Sequence, residues 1–235
     1  MAPAPPRLGI VLADGAAPSR ATLDSAWPGW DAGAAVVVAA DGGARHAAEL
    51  GLRIDRWVGD GDSITPELLD GLGAAGVAIE RVAAEKDESD AELALLAALD
   101  GGVDAVAILG GLGGPRVDHA LGNVGLLAHP ALAGRPAVLY DEHGARISLL
   151  AAPGADGRGV TTEAEGRIGD LVSLVPIGQS AVGVTTDGLR YPLVAELLAL
   201  GRTRGVSNVR TRPRARVALE SGRLLVIETP ANLGS

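Results

Sequence analysis

Four groups of residues in this 235-residue chain have the types and spacing for metal-assisted chemistry on phosphates. Two carboxylates stand in Gly59-Asp60-Gly61-Asp62-Ser63, and two more in Lys86-Asp87-Glu88-Ser89-Asp90. Asp118 and His119 close a glycine-rich segment, and Asp41 opens Asp41-Gly42-Gly43 after the apolar run Val36-Val37-Val38. Carboxylates repel one another when desolvated, so acids gathered beside apolar strands call for a cation, and Mg²⁺ is the simplest one. Asp60 and Asp62, two apart, share one face of an extended segment. Asp87 and Asp90, three apart, share a face if a first helical turn includes both. Asp60, Asp62, Asp87 and Asp90 are therefore the candidate metal ligands.

The competing motifs fail on inspection. Asp60-x-Asp62 is no EF-hand, because Ile64 stands where a third ligand belongs. Gly110-Gly111-Leu112-Gly113-Gly114-Pro115-Arg116 is no dinucleotide fingerprint, because Arg116 takes the last glycine's place, and the chain contains no Gly-Lys-Ser/Thr. The run still suits close backbone approach to phosphate, with Gly113 and Gly114 at its end and Arg116 as a two-oxygen clamp. His119 and Asn123, four apart, share a helix face.

These groups need a scaffold that gathers strand ends. Short continuous apolar runs at Leu8–Leu12, 35–39, Arg56–Gly59, 77–82, 103–109 and Ala137–Tyr140 read as strands covered on both faces. Helical runs at 44–50, 66–72, 90–99 and 119–127 alternate with them, as in a parallel α/β sheet, which binds ligands at its carboxyl rim. Thr65-Pro66-Glu67 marks a helix start. Ser89-Asp90-Ala91-Glu92 fits a capping box, with Leu93, Leu96 and Ala97 expected on the inward stripe. After residue 142 short β segments take over, at 147–150, 171–175, 181–185, 216–219 and 224–227, with Ser221-Gly222 as a hairpin turn and only 194–200 helical. Residues 151–159 read as a connecting loop. The expectation is an α/β N-terminal domain with a mostly parallel sheet (1–142), followed by a smaller all-β sandwich or barrel domain (143–235).

Composition bounds the rest. Hydrophobic residues make up 47% of the chain, yet it has no Phe and 2% aromatic content, so small aliphatic side chains must fill the core. The absence of Cys removes disulfides and thiolate chemistry. A net charge of −9 argues against nucleic acid as a partner. Met1–Arg7 carries no signal-peptide pattern and no apolar run is long enough for a membrane, so a cytoplasmic location is expected. Lys86 is the one lysine. It is either the chance remnant of an arginine-rich composition or a place that needs a compact ammonium.

Taken in order, Asp41-Gly42-Gly43, Gly59–Ser63, Lys86–Asp90, the run into Arg116-Val117-Asp118-His119, Gly188-Leu189-Arg190-Tyr191 and Gly205-Val206-Ser207-Asn208 resemble the signatures of the thiamine pyrophosphokinase family. The resemblance implies a Mg²⁺-dependent transfer of a diphosphoryl group from ATP to thiamine, releasing AMP, in a homodimer with sites at the subunit interface. It implies catalytic roles for Asp60, Asp62, Asp87, Asp90, Arg116 and Asp118. It implies ligand contacts from Asp41, Gly42, Lys86, Gly113, Gly114, Arg116, His119 and Asn123, with Ser207 and Asn208 on the thiamine side. The family holds the thiamine ring against an aromatic side chain, for which Tyr191 and Trp57 are the candidates here. Gly61 and Pro115 depart from the family pattern. Two rival readings are a pyrophosphokinase for a pterin-type alcohol and a non-catalytic Mg-nucleotide or thiamine-binding protein.

Overall fold

The computed structural model describes residues 6–152 and 159–231, which fall in two compact units, Met1–Gly144 and Ala145–Ser235. The N-terminal heptapeptide considered above is thus described only at Pro6 and Arg7. Most of the loop expected over 151–159 also lies outside the described residues; Ala151 and Ala152 still belong to a strand.

The first unit is built on six parallel strands, β1 (Leu8–Leu12), β2 (Ala34–Ala40), β3 (Arg56–Gly59), β4 (Ala78–Arg81), β5 (Ala105–Leu109) and β6 (Ala137–Tyr140), in the order β6-β5-β1-β2-β3-β4. Helices α1 (Arg20–Ala26), α2 (Ala47–Leu50), α3 (Pro66–Ala74), α4 (Asp90–Asp100) and α5 (Val117–Leu126) lie between the strands. From β1 the chain runs outward through β2, β3 and β4, then returns to β5 on the other side. The chain therefore leaves β1 and β5 in opposite directions, which makes this the switch point of the sheet, the place where open α/β sheets bind ligands.

Sequence signals account for the helix starts. Thr65 accepts a hydrogen bond from Leu68 N with Pro66 at the first position, and Ser89 accepts from Glu92 N at 3.2 Å. The buried stripe of α4 is Ala91, Ala94, Leu95, Ala97 and Ala98, rotated from the expected Leu93 and Leu96. The alanines allow the helix to lie close on the sheet. A Cβ at Gly9 of β1 would meet Ala98 Cβ at 3.3 Å. On one core cluster the bulk comes from three tryptophans, Trp27, Trp30 and Trp57, in place of the missing phenylalanines. Helix α1 escaped the sequence reading because it is seven residues long and directly follows Pro18-Ser19, whose serine caps it.

The second unit pairs two antiparallel sheets over one core. β7 (Arg146–Ala152), β9 (Leu171–Pro176), β12 (Asn208–Val209) and β14 (Gly222–Thr229) form the order β12-β9-β14-β7. β8 (Val160–Glu165), β10 (Ala181–Asp187), β11 (Glu196–Leu198) and β13 (Arg214–Leu219) form β11-β10-β13-β8. Leu174, Val226 and Leu224 of the first sheet join Val184, Val217 and Leu198 of the second in one buried cluster. The α/β-then-β expectation holds.

Two local expectations fail. Residues 194–200 are not helical: Ala195 sits at φ +48, and Glu196–Leu198 pairs with β10. Strand pairing there overrides the helix propensity of Glu, Leu and Ala. Ser221-Gly222 is not a hairpin turn between partners either. β13 pairs with β8 and β10, while β14 pairs with β7 and β9, so the turn carries the chain from one sheet to the other. Gly222, at φ +103, permits it, since a Cβ there would meet Ser180 O at 2.5 Å. No helix among the described residues is long and apolar enough to cross a membrane.

Candidate active site

Asp41, Asp60 and Asp62 converge beyond the ends of β2 and β3, each offering a carboxylate oxygen within 4.8 Å of the others. Asp41 is buried and takes φ +43 as it leaves β2 for a 3-10 turn over Asp41–His46. Its Oδ2 accepts from Gly61 N at 3.2 Å, while its Oδ1 is buried with no hydrogen-bond partner. Burial pushes the Asp41 carboxyl upward; backbone N–H groups of Ser63 and Gly61 oppose that, and the charges of Asp90 and Asp60 reinforce it. Asp60 and Asp62 do not meet along an extended segment as spacing suggested. A turn through Gly61, at φ +86, folds them together, and Asp62 N donates to Asp60 Oδ1 at 3.0 Å. That backbone hydrogen bond, with the Lys86 ammonium, holds the Asp60 carboxyl below its ordinary range.

This donor set fits Mg²⁺, a hard cation served by carboxylate oxygens and water. The buried, unpartnered Asp41 Oδ1 is the observation that speaks for it, because such an atom is costly without a partner. The family resemblance placed Asp41 among the ligand contacts; geometry groups it with the metal-ligand candidates Asp60 and Asp62.

The second acidic motif divides. Lys86 Nζ lies 3.0 Å from Asp90 Oδ1 and 3.5 Å from Asp60 Oδ2, tying the 86–90 loop to the end of β3. Desolvation acts to lower the ammonium's pKa, but the two carboxylates outweigh it and raise it. Lys86 thus works as a compact ammonium between two acids. Helix α4 starts at Asp90 with Ser89 as its cap, so Asp87 lies outside the first turn, exposed, and does not share a face with Asp90. Asp87 and Asp90 are not in the carboxylate group that Asp41, Asp60 and Asp62 form.

The glycine run follows β5 and meets the loop after β1. Gly15 N donates to Gly110 O at 2.8 Å, and a Cβ on Gly15 would lie 2.3 Å from Gly113 O. A Cβ on Gly113 would lie 2.4 Å from Ala16 Cβ. Close packing of two loops at the switch point is thus one reason for glycine here; Gly114, at φ +102, faces more open space. Arg116, at the start of α5, is exposed and forks onto Asp118, with Nε–Oδ1 2.9 Å and Nη2–Oδ2 2.6 Å. The fork holds the Asp118 carboxyl far below the usual carboxylate range. His119 is exposed, but Asn123 is buried and donates to Gly111 O at 2.8 Å, so the two do not present a common face to a ligand. Asn123 instead anchors the glycine run.

Sequence reasoning missed Asp14, Arg45 and His46. The Arg45 guanidinium forks onto the Asp14 side chain and backbone carbonyl and reaches Gly42 O at 2.9 Å. His46 Nε2 lies 2.8 Å from Gly15 O, and burial pulls its pKa down. A Cβ on Gly42 would meet Asp14 Oδ1 at 2.1 Å and the Ser63 backbone carbonyl at 2.8 Å, so a side chain there would force its neighbours to shift. The available signal was Ala13-Asp14-Gly15, two residues past β1 and similar to Ala40-Asp41-Gly42 past β2.

In the second unit a pocket of about 140 Å³ is lined by Tyr191, Pro192, Leu193, Arg204, Gly205, Val206 and Asn208. Asn208 is buried and latches its wall: Oδ1 accepts from Tyr191 N at 3.0 Å, and Nδ2 donates to Tyr191 O at 2.7 Å. Its amide is committed to the protein. Ser207 is exposed at φ +59, with its N–H on Ser173 Oγ. Tyr191 is 63% exposed and free to stack, whereas Trp57 is fully buried and offers no stacking face.

An α/β unit with converging carboxylates, followed by a β unit with a small pocket, defines a two-part group-transfer enzyme. Residues 30–139 match the thiamin pyrophosphokinase catalytic domain, and residues 160–224 match the thiamin pyrophosphokinase vitamin B1 binding domain. The chain is 30% identical over 171 residues to the thiamine pyrophosphokinase of Bacillus subtilis strain 168, covering 73% of this chain and 76% of that one. Among solved structures it is similar to thiamine pyrophosphokinase from Bacillus subtilis, with TM-score 0.75, 24% identity, and 95% and 98% of the two chains covered. It is also similar to that from Geobacillus thermodenitrificans (0.75, 23%, 96% and 98%) and to the yeast enzyme (0.73, 15%, 97% and 88%). The chain belongs to the thiamin pyrophosphokinase family, whose members are transferases that make thiamine diphosphate.

Proposed function

We propose that this enzyme moves a diphosphoryl group from ATP to the hydroxyethyl oxygen of thiamine, releasing AMP. The thiamine hydroxyl oxygen bonds to the β-phosphorus, the bond from that phosphorus to the α,β-bridging oxygen breaks, and AMP leaves with that oxygen. The hydroxyl proton passes to a nearby base. The observation that carries the reading is the group Asp41, Asp60 and Asp62 with its buried free oxygen, inside the part of the chain matching the catalytic domain. These three acids would hold Mg²⁺, which supplies positive charge for the polyphosphate oxygens. Lys86 fixes Asp60 and Asp90 and balances their charge. Arg116, once it turns from Asp118, clamps the migrating group.

On this reading the first unit, Met1–Gly144, handles nucleotide and metal, and the second, Ala145–Ser235, contributes to thiamine binding and to a homodimer in the cytoplasm. The pocket beside Tyr191 supports the thiamine role, since it lies in the part matching the vitamin B1 binding domain. Exposed Val194, Leu197 and Leu200 support association, because a second copy would cover them.

The decisive assay follows AMP release with ATP, Mg²⁺ and thiamine. AMP that depends on all three is expected. AMP formed only with a hydroxymethylpterin, or none with any alcohol, favours one of the two rival readings instead. Arg116→Lys should lower kcat by about 10- to 100-fold, because an ammonium does not reproduce the two-oxygen contact. A loss confined to the thiamine KM would move Arg116 to the acceptor. Ser207→Ala should raise the thiamine KM and leave ATP affinity intact, read by titration calorimetry with each ligand. Unchanged thiamine affinity takes the acceptor away from this loop.

A further inference from the structure

The three tryptophans of this chain each commit their indole N–H to one acceptor. Trp27 donates to Gly144 O and Trp30 to Asp24 Oδ1, neither of them a residue of the carboxylate group. Trp57 donates to the backbone carbonyl of Asp41 at 3.0 Å. It is fully buried on β3, two residues before Gly59-Asp60, and stands beside Ala39 in the β2–β3 pairing. A buried indole N–H needs a partner, and this one finds it at the residue that leaves the neighbouring strand in a left-handed turn.

That conformation is uncommon for a side chain other than glycine and persists where its surroundings over-determine it. Asp41 is held from three sides. The indole fixes its carbonyl. Gly61 N–H fixes its Oδ2. Gly59 lies against its Cβ so closely that a Cβ there would be 2.9 Å away. What remains is Oδ1, buried and unpartnered, on a residue that offers a carboxylate oxygen within 4.8 Å of those of Asp60 and Asp62.

We infer that Trp57 is a positioning residue: its indole N–H pins the strained Asp41 peptide and so aims the Asp41 carboxylate at the cation shared with Asp60 and Asp62. This rests on the metal role assigned above to those three acids. Partners that orient a ligand from behind govern metal affinity nearly as much as the ligands do. Trp57→Phe keeps a buried ring and removes only the donor. It should weaken Mn²⁺ binding, read by electron paramagnetic resonance, by about 10- to 100-fold. In an Asp41→Asn background, which tolerates the left-handed turn, the same change should add nothing, because Trp57 acts through Asp41.

A merely structural tryptophan would lower the melting temperature and leave the Mn²⁺ affinity where it was, and that result overturns the inference. Equal losses in both backgrounds overturn it too. If Asp41→Asn itself leaves Mn²⁺ affinity unchanged, the metal assignment fails, and the inference falls with it for that distinguishable reason. The unsubstituted protein gives a second reading that survives a folding failure of Trp57→Phe. Its nitrogen–proton spectrum holds three indole signals, assigned by Trp27→Phe and Trp30→Phe. Mg²⁺ should shift the Trp57 signal and leave the other two in place. A Trp57 signal indifferent to saturating Mg²⁺ rejects the proposal.

Discussion

Asp62→Asn abolishes turnover, lowering kcat by about 10³-fold or more, while the protein without metal keeps or slightly raises its melting temperature. The two halves of this expectation have opposite physical origins. Asp62 is the exposed member of the group, and its carboxylate accepts from the neighbouring Ser63 Oγ at 2.8 Å, so removing its charge disturbs no packing. It also relieves repulsion with Asp60 and Asp41 when no cation is present. Transition-state charge on a transferring phosphoryl group is stabilised by several kcal/mol through a bound metal, and each 1.36 kcal/mol lost is tenfold in rate. A second measurement separates metal loss from misfolding. Saturating Mg²⁺ stabilises whatever folded state binds it, in proportion to the logarithm of its concentration over Kd. The unsubstituted chain should gain melting temperature with added Mg²⁺, and Asp62→Asn should lose that gain. Near-normal turnover at limiting Mg²⁺ removes Asp62 from the metal.

The strands of the first unit were legible because a sheet covered on both faces writes itself as uninterrupted apolar runs, and Leu8–Leu12, Arg56–Gly59 and Ala137–Tyr140 have the bounds expected. The acids were legible as strand-end residues for the same reason. Their grouping was not. Asp41 joins Asp60 and Asp62 through a left-handed residue and a positive-φ glycine, and neither backbone state is written in side-chain periodicity. Asp87 separates from Asp90 because Ser89 caps the helix one residue before Asp90, which three-residue spacing alone does not reveal. For Lys86 the sequence left open chance composition or a need for a compact ammonium, and the ends of β3 and α4 give that ammonium two carboxylates. In the second unit, Glu196–Leu198 reads locally as helix and is strand because β10 offers it partners from another part of the chain. Asn208 resembled a ligand-binding polar residue; its three hydrogen bonds to the backbone of Tyr191 and Val209 show a polar side chain spent on shape.

The second unit contains a test of a different kind, independent of ligands. Glu228 on β14 is buried, and its carboxylate lies between two guanidiniums: Arg210 Nη2 at 2.5 Å from Oε1, and Arg146 Nε at 2.7 Å from Oε2. The Arg210 side chain is fully buried, with Nη1 on Ala164 O and Pro213 O. Gly166 leaves room for it, since a Cβ there would lie 2.8 Å from Arg210 Nε. Desolvation pulls the Arg210 pKa down, against the attraction of Glu228, yet arginine stays charged in any accessible range. Glu228→Gln keeps shape and one acceptor but removes the negative charge that Arg210 and Arg146 share, leaving the buried Arg210 to the weaker attraction of Asp170. Breaking a buried pair from one side costs about 3–5 kcal/mol, whatever the pair contributes as a whole. For a protein of this size that corresponds to a fall in melting temperature of about 6–20 °C. Glu165→Gln provides the contrast, because its pairing with Arg214 is 72% exposed on both sides and worth about 0–1 kcal/mol. Thermal and urea unfolding of the two variants should therefore differ widely. A Glu228→Gln protein no less stable than Glu165→Gln would mean that the Arg146–Glu228–Arg210 group adds no specific stability and that the apolar cluster around Val226 and Leu174 holds the two sheets by itself.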